Sequence, residues 1–335
     1  MGFKKQKRIL ITAAVAIVAI LLGWGAHTAF DSDLEKASSA NFKKEQKLLT
    51  KTAANEIERY YSDVQKRLEI IAMMPVVRDA VRSETCNQTL QNILQVNSSV
   101  FNNLGRVGKD GTFICAVNRT IVGEPAAKYG TYFAEVAKDP EHKPVMSRLI
   151  YPSGSGTPVA AVHVPVYDSN GQFNGTIGGA VYFDELEKRI LLDKQMTEGS
   201  AIALFDNNGD ILYHQDPLLR SKNLLSEDVL KPYDPRETIT SFVNDVVKGK
   251  PSEGEIQFSF KDKSYQSTYK SAQVIGRHWT VRIAVPHEDV HKAVHRETAQ
   301  QIFLATTALA IIAVTALTYI VLPRNSSGKK RTNSR

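Results

Sequence analysis

The segment His287-Glu288-Asp289-Val290-His291 carries the spacing H-E-x-x-H. On a helix this spacing sets two imidazoles on one face, with a glutamate between them placed to act as general base in a zinc hydrolase. His295 continues the same face one step further. A hydrolase also needs a third protein ligand and a substrate cleft, and the motif lies instead between a β-rich run and an apolar stretch. His287, His291 and His295 are therefore weak metal candidates, or a pH-responsive stripe on a solvated helix, because imidazole titrates near neutrality. A zinc metallohydrolase is the remote alternative. No P-loop or Ser-His-Asp signature occurs, and the Gly-rich run Gly175–Gly179 reads as a strand rather than a phosphate-binding turn. The chain is expected not to be an enzyme and to need no cofactor.

Cys86 and Cys115 are the only two cysteines. In an oxidising compartment such a pair favours a disulfide, which would close a loop of about 30 residues and stabilise by roughly 3–4 kcal/mol. Two buried thiols are the alternative. Candidates for binding a small ligand are Tyr132, Arg148, Tyr151, His163 and Tyr182, which lie near or within the strands of the first half. Arg148 offers a bidentate donor to a carboxylate or phosphate, and the aromatic rings offer walls. Each has a plainer reading as a surface arginine or core ring, since alternation along a strand assigns no face without register. Asp206, Tyr213 and His214 form a weaker set in the second half.

The elements that must position these residues begin at the chain ends. No Lys, Arg, Asp or Glu occurs from Ile9 to Phe30 or from Ile302 to Leu322. About 20 apolar residues span a bilayer as a helix. Lys4, Lys5, Lys7 and Arg8 precede the first stretch; Arg324, Lys329, Lys330, Arg331 and Arg335 follow the second; neither tail holds an acid. The positive-inside rule then puts both termini in the cytoplasm and the middle outside the cell membrane. The formal charge of +7 is a topology signal, because the tails hold nine of the 42 basic residues and none of the 35 acids. Nucleic acid is not an expected partner. The first stretch also resembles a signal peptide, but Ala26-His27-Thr28 is not a small-x-small cleavage site.

The resulting organisation is a tail at 1–8, a span at 9–30 and a long helix at 31–74. Then come a membrane-distal module at 75–190 and a membrane-proximal module at 191–286. A juxtamembrane helix and second span at 287–322 and a tail at 323–335 complete it. Along the long helix, Ala53, Ile57, Tyr60, Val64, Leu68 and Ile71 make one apolar stripe, and Pro75 marks its end. Beyond it, turn signals at 109–111, 168–171 and 207–209 separate β-rich runs. The predicted strands are 112–117, 159–167, 172–183, 201–205, 211–214, 255–260, 264–269 and 279–285. The runs around Gly111 and Gly209 resemble one another, which points to two tandem α/β modules of similar fold. The helix 185–194 joins them, and the sheets are antiparallel. Four sequons, at Asn87, Asn97, Asn118 and Asn174, matter only where N-glycosylation operates.

At this level the chain resembles the double Cache sensors, the extracytoplasmic domains of many chemoreceptors, sensor kinases and cyclic-dinucleotide enzymes. In the first module the resemblance rests on Gly130-Thr131-Tyr132-Phe133, residues 157–168 and residues 171–179. In the second it rests on residues 204–214 and on Trp279 to Pro286. It implies an α/β (α+β) fold of two PAS-like modules on the long helix, a ligand pocket in the distal module and a homodimer. Family members that bind amino acids carry an Arg followed closely by Trp-Tyr, and an Asp after the Gly-rich strand. Here the Trp-Tyr pair is missing and Ala180 stands at the Asp position, so an amino-acid ligand is not supported. Only 13 polar and basic residues follow Leu322. The expected function is therefore a membrane-anchored sensor of a small molecule, without its own output domain, that transmits to a separate signalling protein. A non-signalling solute-capture or scaffold module is the alternative.

Overall fold

A computed structural model describes the backbone of residues 2–150, 158–247 and 252–321. Side chains are described from residue 34 onward, apart from 193, 246–247, 313–314 and 316–321. The chain forms two compact units, residues 1–44 with 290–335, and residues 45–289.

No proline precedes Pro75, and helix α1 runs unbroken over Gly2–Met73. Pro75 has no N–H to continue the ladder and instead opens the short helix α2 (Pro75–Arg78). Within the larger unit, α1 buries Ala53, Ile57, Val64, Leu68 and Ile71 as the stripe requires. The aromatic member is Tyr61 rather than Tyr60: Tyr61 is fully buried with its ring edge-on to Trp279 at 5.1 Å, while Tyr60 sits half-buried beside it. The stripe also continues toward the N-terminus through polar groups that periodicity in apolar residues misses. Buried Gln46 donates from Nε2 to the carbonyls of Gln266 and Ile283, and Thr50 pairs with the Thr268 hydroxyl at 2.7 Å. These bonds satisfy strand carbonyls under the helix, where an unpaired buried group would cost about 1–3 kcal/mol.

The first module follows with α3 (Glu84–Val96), β1 (Phe101–Val107), β2 (Phe113–Ala116), α4 (Tyr132–Lys138), β3 (Val145–Ile150), β4 (Val159–Tyr167) and β5 (Phe173–Tyr182). A helical link from α5 (Phe183–Leu186) through Lys194 leads to the second module. That module contains β6 (Ala201–Phe205), β7 (Ile211–His214), α6 (Glu227–Leu230), β8 (Tyr233–Asp234) and α7 (Arg236–Val247). It is completed by β9 (Glu253–Phe260), β10 (Lys263–Val274) and β11 (Arg277–Pro286), after which α8 (His287–Val321) begins. The sheets are ordered β2-β1-β5-β4-β3 and β7-β6-β11-β10-β9-β8, with every pair antiparallel. The orders superpose strand for strand, with β8 added to the second. The Gly111 and Gly209 turns occupy the matching first hairpins.

The fold is thus a mixed α/β architecture of two antiparallel sheets on a long N-terminal helix. Cys86 of α3 and Cys115 of β2 are bonded, with Cα atoms 5.9 Å apart, and fasten the helix after Pro75 to the first hairpin. Among the described residues, no helix is long and apolar enough to cross a membrane. The first predicted span, 9–30, lies in the part of α1 whose side chains are outside the described residues, as do the later side chains of the second, 302–322.

Candidate functional site

Three features of the first sheet make room above its centre. Its middle strands carry Gly105, Gly178 and Gly179 with Ala161 and Ala180, so little side chain rises from them. The segment from Ile121 to Phe133 crosses over this shallow face. Between them lies a cavity of about 240 Å³. Leu104, Phe113, Ile121, Ala126, Phe133 and Ile150 give it apolar walls, and Tyr129, Tyr132, Asn103 and His163 bring the polar groups.

His163 is the distinctive group. In β4 it pairs with Gly178 of β5, and a Cβ on Gly178 would stand 2.5 Å from the imidazole Cε1. Only glycine lets this ring lie across the neighbouring strand. On its other side the Tyr132 ring stacks at 5.5 Å with 30° between planes. Tyr132 in turn is admitted by Gly130, whose φ of +144° and close approach to the ring exclude a side chain. Burial pushes the His163 imidazole down to about 4, so it is neutral at physiological pH. Its Nδ1 is buried with no hydrogen-bond partner among the described residues. Asn103 is less available, since its side-chain oxygen already accepts from the N–H groups of Leu104 and Asn118. The site therefore offers a small apolar space with a neutral imidazole in its wall and, among the described residues, no charged wall residue.

Of the candidates read from the sequence, Tyr132 and His163 meet in this cavity. Arg148 is exposed on β3, beside an irregular register between Met146 and Leu149, and Tyr182 is half-buried at the end of β5; neither lines it. Tyr151 lies outside the described residues. Ala180 does line the cavity. Asn103, Phe133 and Ile150 were not singled out, and only Phe133 had a signal, in the run Gly130–Phe133.

The second set serves the fold. Asp206 Oδ1 accepts from the N–H groups of Asn208 and Asp210 and so closes the β6–β7 turn. The Arg220 guanidinium lies 4.8 Å from the Tyr213 ring centroid. His214 Nδ1 accepts from the Asp216 N–H, and burial, followed by the Arg282 charge, holds its imidazole at about 4. Among the metal candidates, His291 and His295 come together with Glu35, whereas His287 stands outside that group. The pairing suggested by the H-E-x-x-H spacing, His287 with His291, is thus replaced by the next pair along the helix.

Residues 31–294 match the Cache domain family. The chain belongs to that family. This Cache chain has no sequence match among curated proteins. Among solved structures it resembles the periplasmic sensory domain of the Campylobacter jejuni chemoreceptor Tlp1 (18% identity, TM-score 0.57, 76% of this chain and 98% of that one). It also resembles the ligand-binding domain of the Pseudomonas aeruginosa PAO1 amino-acid chemoreceptor PctC, solved with GABA (18%, TM-score 0.56, 74% and 99%). A third likeness is to an extracellular ligand-binding receptor from Desulfohalobium retbaense (17%, TM-score 0.55), of whose length the Cache chain covers 39% and which covers 70% of this chain. At these identities the likeness is one of fold. The fold is that of the Cache family, and the cavity is what this chain's own side chains make of it.

Proposed function

We propose that this Cache chain is an extracytoplasmic sensor, anchored by the spans 9–30 and 302–322, whose first module binds a small uncharged molecule. The observation that carries the reading is the partly open apolar cavity with neutral His163, stacked on Tyr132, in its wall. The walls favour an apolar body of few heavy atoms carrying one hydroxyl, amide or amine-like group. Among the described residues a free carboxylate finds no cation in the wall, which sets this ligand class apart from GABA in the domain of PctC.

Binding is transmitted by a shift between two packings of the modules against α1. Such a shift requires the ligand to favour one packing over the other. The chain acts as a homodimer and passes its state to a separate signalling protein. Membership of a sensory family and the run of α1 from the modules back toward residues 9–30 support this part of the proposal.

The test is a thermal-shift screen on the full chain in detergent, against small alcohols, amides, neutral amines, carboxylates, amino acids and sugars. A ligand at about 100 times its dissociation constant stabilises by about 2.7 kcal/mol. A neutral ligand that raises the midpoint in the native chain but not in His163→Ala is the expected result. A response confined to carboxylates and dependent on Arg148 would overturn the assignment to this cavity.

A further inference from the structure

Glu35 of α1 and His291 and His295 of α8 belong to the same compact unit and bring their side chains to one point. His291 Nδ1 lies 3.6 Å and His295 Nε2 4.0 Å from the same carboxylate oxygen, Glu35 Oε1. All three ligand atoms fall within 4.8 Å of one another. Around a tetrahedral zinc with bonds of about 2.0–2.2 Å, ligand atoms stand roughly 3.4 Å apart. The residues are therefore within small side-chain adjustments of a coordination sphere.

The arrangement on α8 is favourable in itself. Residues four apart share a helix face, and the two imidazole rings lie 5.7 Å apart at 27°. The pair presents Nδ1 of His291 and Nε2 of His295 toward the same oxygen. The third donor comes from a different helix more than 250 residues away in sequence. No disulfide, turn or local spacing forces that meeting. The carboxylate and rings are partly or fully exposed, so an ion reaches them without rearrangement of a core.

We propose that Glu35, His291 and His295 form a divalent transition-metal site that clasps α1 to α8. Two imidazoles and one carboxylate suit zinc, and also nickel or copper, rather than magnesium or calcium, whose ligands are oxygens. Three protein ligands leave the remaining positions to water. The ion is a link between helices, because its ligands come from both. Glu35 stands five residues after the apolar stretch ending at Phe30, and His295 seven before the one beginning at Ile302. The clasp fixes the spacing of the two helices where they enter those stretches. Free metal in the surroundings thereby becomes a second input to the chain, independent of the cavity in the first module.

The test is zinc titration of the full chain, purified without a histidine tag, in detergent or nanodiscs. A competing chromophoric chelator reports affinity, and cobalt absorption reports the ligand set. One equivalent is expected to bind per chain, with a rise in the unfolding midpoint. His291→Ala and His295→Ala are each expected to weaken binding at least tenfold. Glu35→Gln, which keeps size and helix propensity, should do the same and abolish the rise in the midpoint. His287→Ala should leave binding unchanged. Absence of saturable binding in the native chain would overturn the site. Unchanged affinity in Glu35→Gln would overturn the clasp, because the histidines alone would then account for it.

Discussion

His163 carries the chemistry of the first module, and its neighbours explain why it can. The ring occupies space that Gly178 leaves empty and is held there by Tyr132. Gly178→Ala should therefore push the imidazole into the cavity. The expected loss is about 1–3 kcal/mol by overpacking, together with loss of ligand binding; denaturant midpoints and titration measure the two. The same burial sets a pH dependence. His163 and His214 both fall to about 4 in the folded chain from an ordinary value near 6.5. Between those values the unfolded chain binds more protons than the folded one, so stability is fully present above about pH 6.5 and falls as pH drops toward 4. Urea midpoints across that window should decline, and the decline should be smaller in His163→Gln. A flat profile would mean that the rings are solvated. Sequence reading reached Tyr132 and His163 as polar-capable residues near strands. It had no means of separating them from Arg148, because which face each occupies depends on the β3–β4 register and its irregularity between Met146 and Leu149.

Elements show where local signals were sufficient and where packing overrode them. The strands Val159–Tyr167, Ala201–Phe205 and Ile211–His214 are alternating or β-branched runs bounded by Gly and Asn turns, and their ends fall where the pattern puts them. β1 was not legible: Asn102, Asn103 and Gly105 disfavour a strand in isolation. It forms because β2 and β5 pair with it on both sides and its buried Arg106 ties the sheet to the chain after α1. Arg106 donates to the carbonyls of Val77 (3.0 Å) and Asn174 (2.8 Å), and also to those of Arg78, Val107 and Thr176. Burial lowers its guanidinium to about 10, which leaves it charged. Arg106→Met strands these carbonyls and should cost several times the roughly 1 kcal/mol of one net hydrogen bond. Arg106→Lys should recover little, since an ammonium has no planar fork to spread over so many acceptors. The tight β10–β11 turn was equally hidden, with Ile275 at φ +42° before Gly276. The Cys86–Cys115 bond joins two elements that a loop of 29 residues separates. Its removal in Cys86→Ser with Cys115→Ser should lower stability by about 3 kcal/mol, read as a drop in denaturant midpoint.

For the whole molecule, the repeat around Gly111 and Gly209 foretold two modules of one design. Their matching strand orders are the structural form of that repeat. The cavity belongs to the first copy because its central strands present glycine and alanine where the second presents larger groups. At the corresponding centre of the second sheet, Arg282 stands with its guanidinium 5.0 Å from the ring centroids of both Phe205 and Phe258, and these three side chains fill the space. The resemblance to double Cache sensors was legible because short runs between Gly130 and Pro286 occur in the family's order, within the residues 31–294 that match it. The ligand class was not, since it depends on the few side chains that happen to face one cavity. The most direct test of the central claim is calorimetric titration of the strongest neutral screening ligand into three forms of the full chain: native, Ala161→Phe and Arg148→Ala. Ala161 lines the cavity and Arg148 does not. The account predicts saturable one-to-one binding that falls at least a hundredfold in Ala161→Phe and is unchanged in Arg148→Ala. Native-like affinity in a folded Ala161→Phe chain would contradict it.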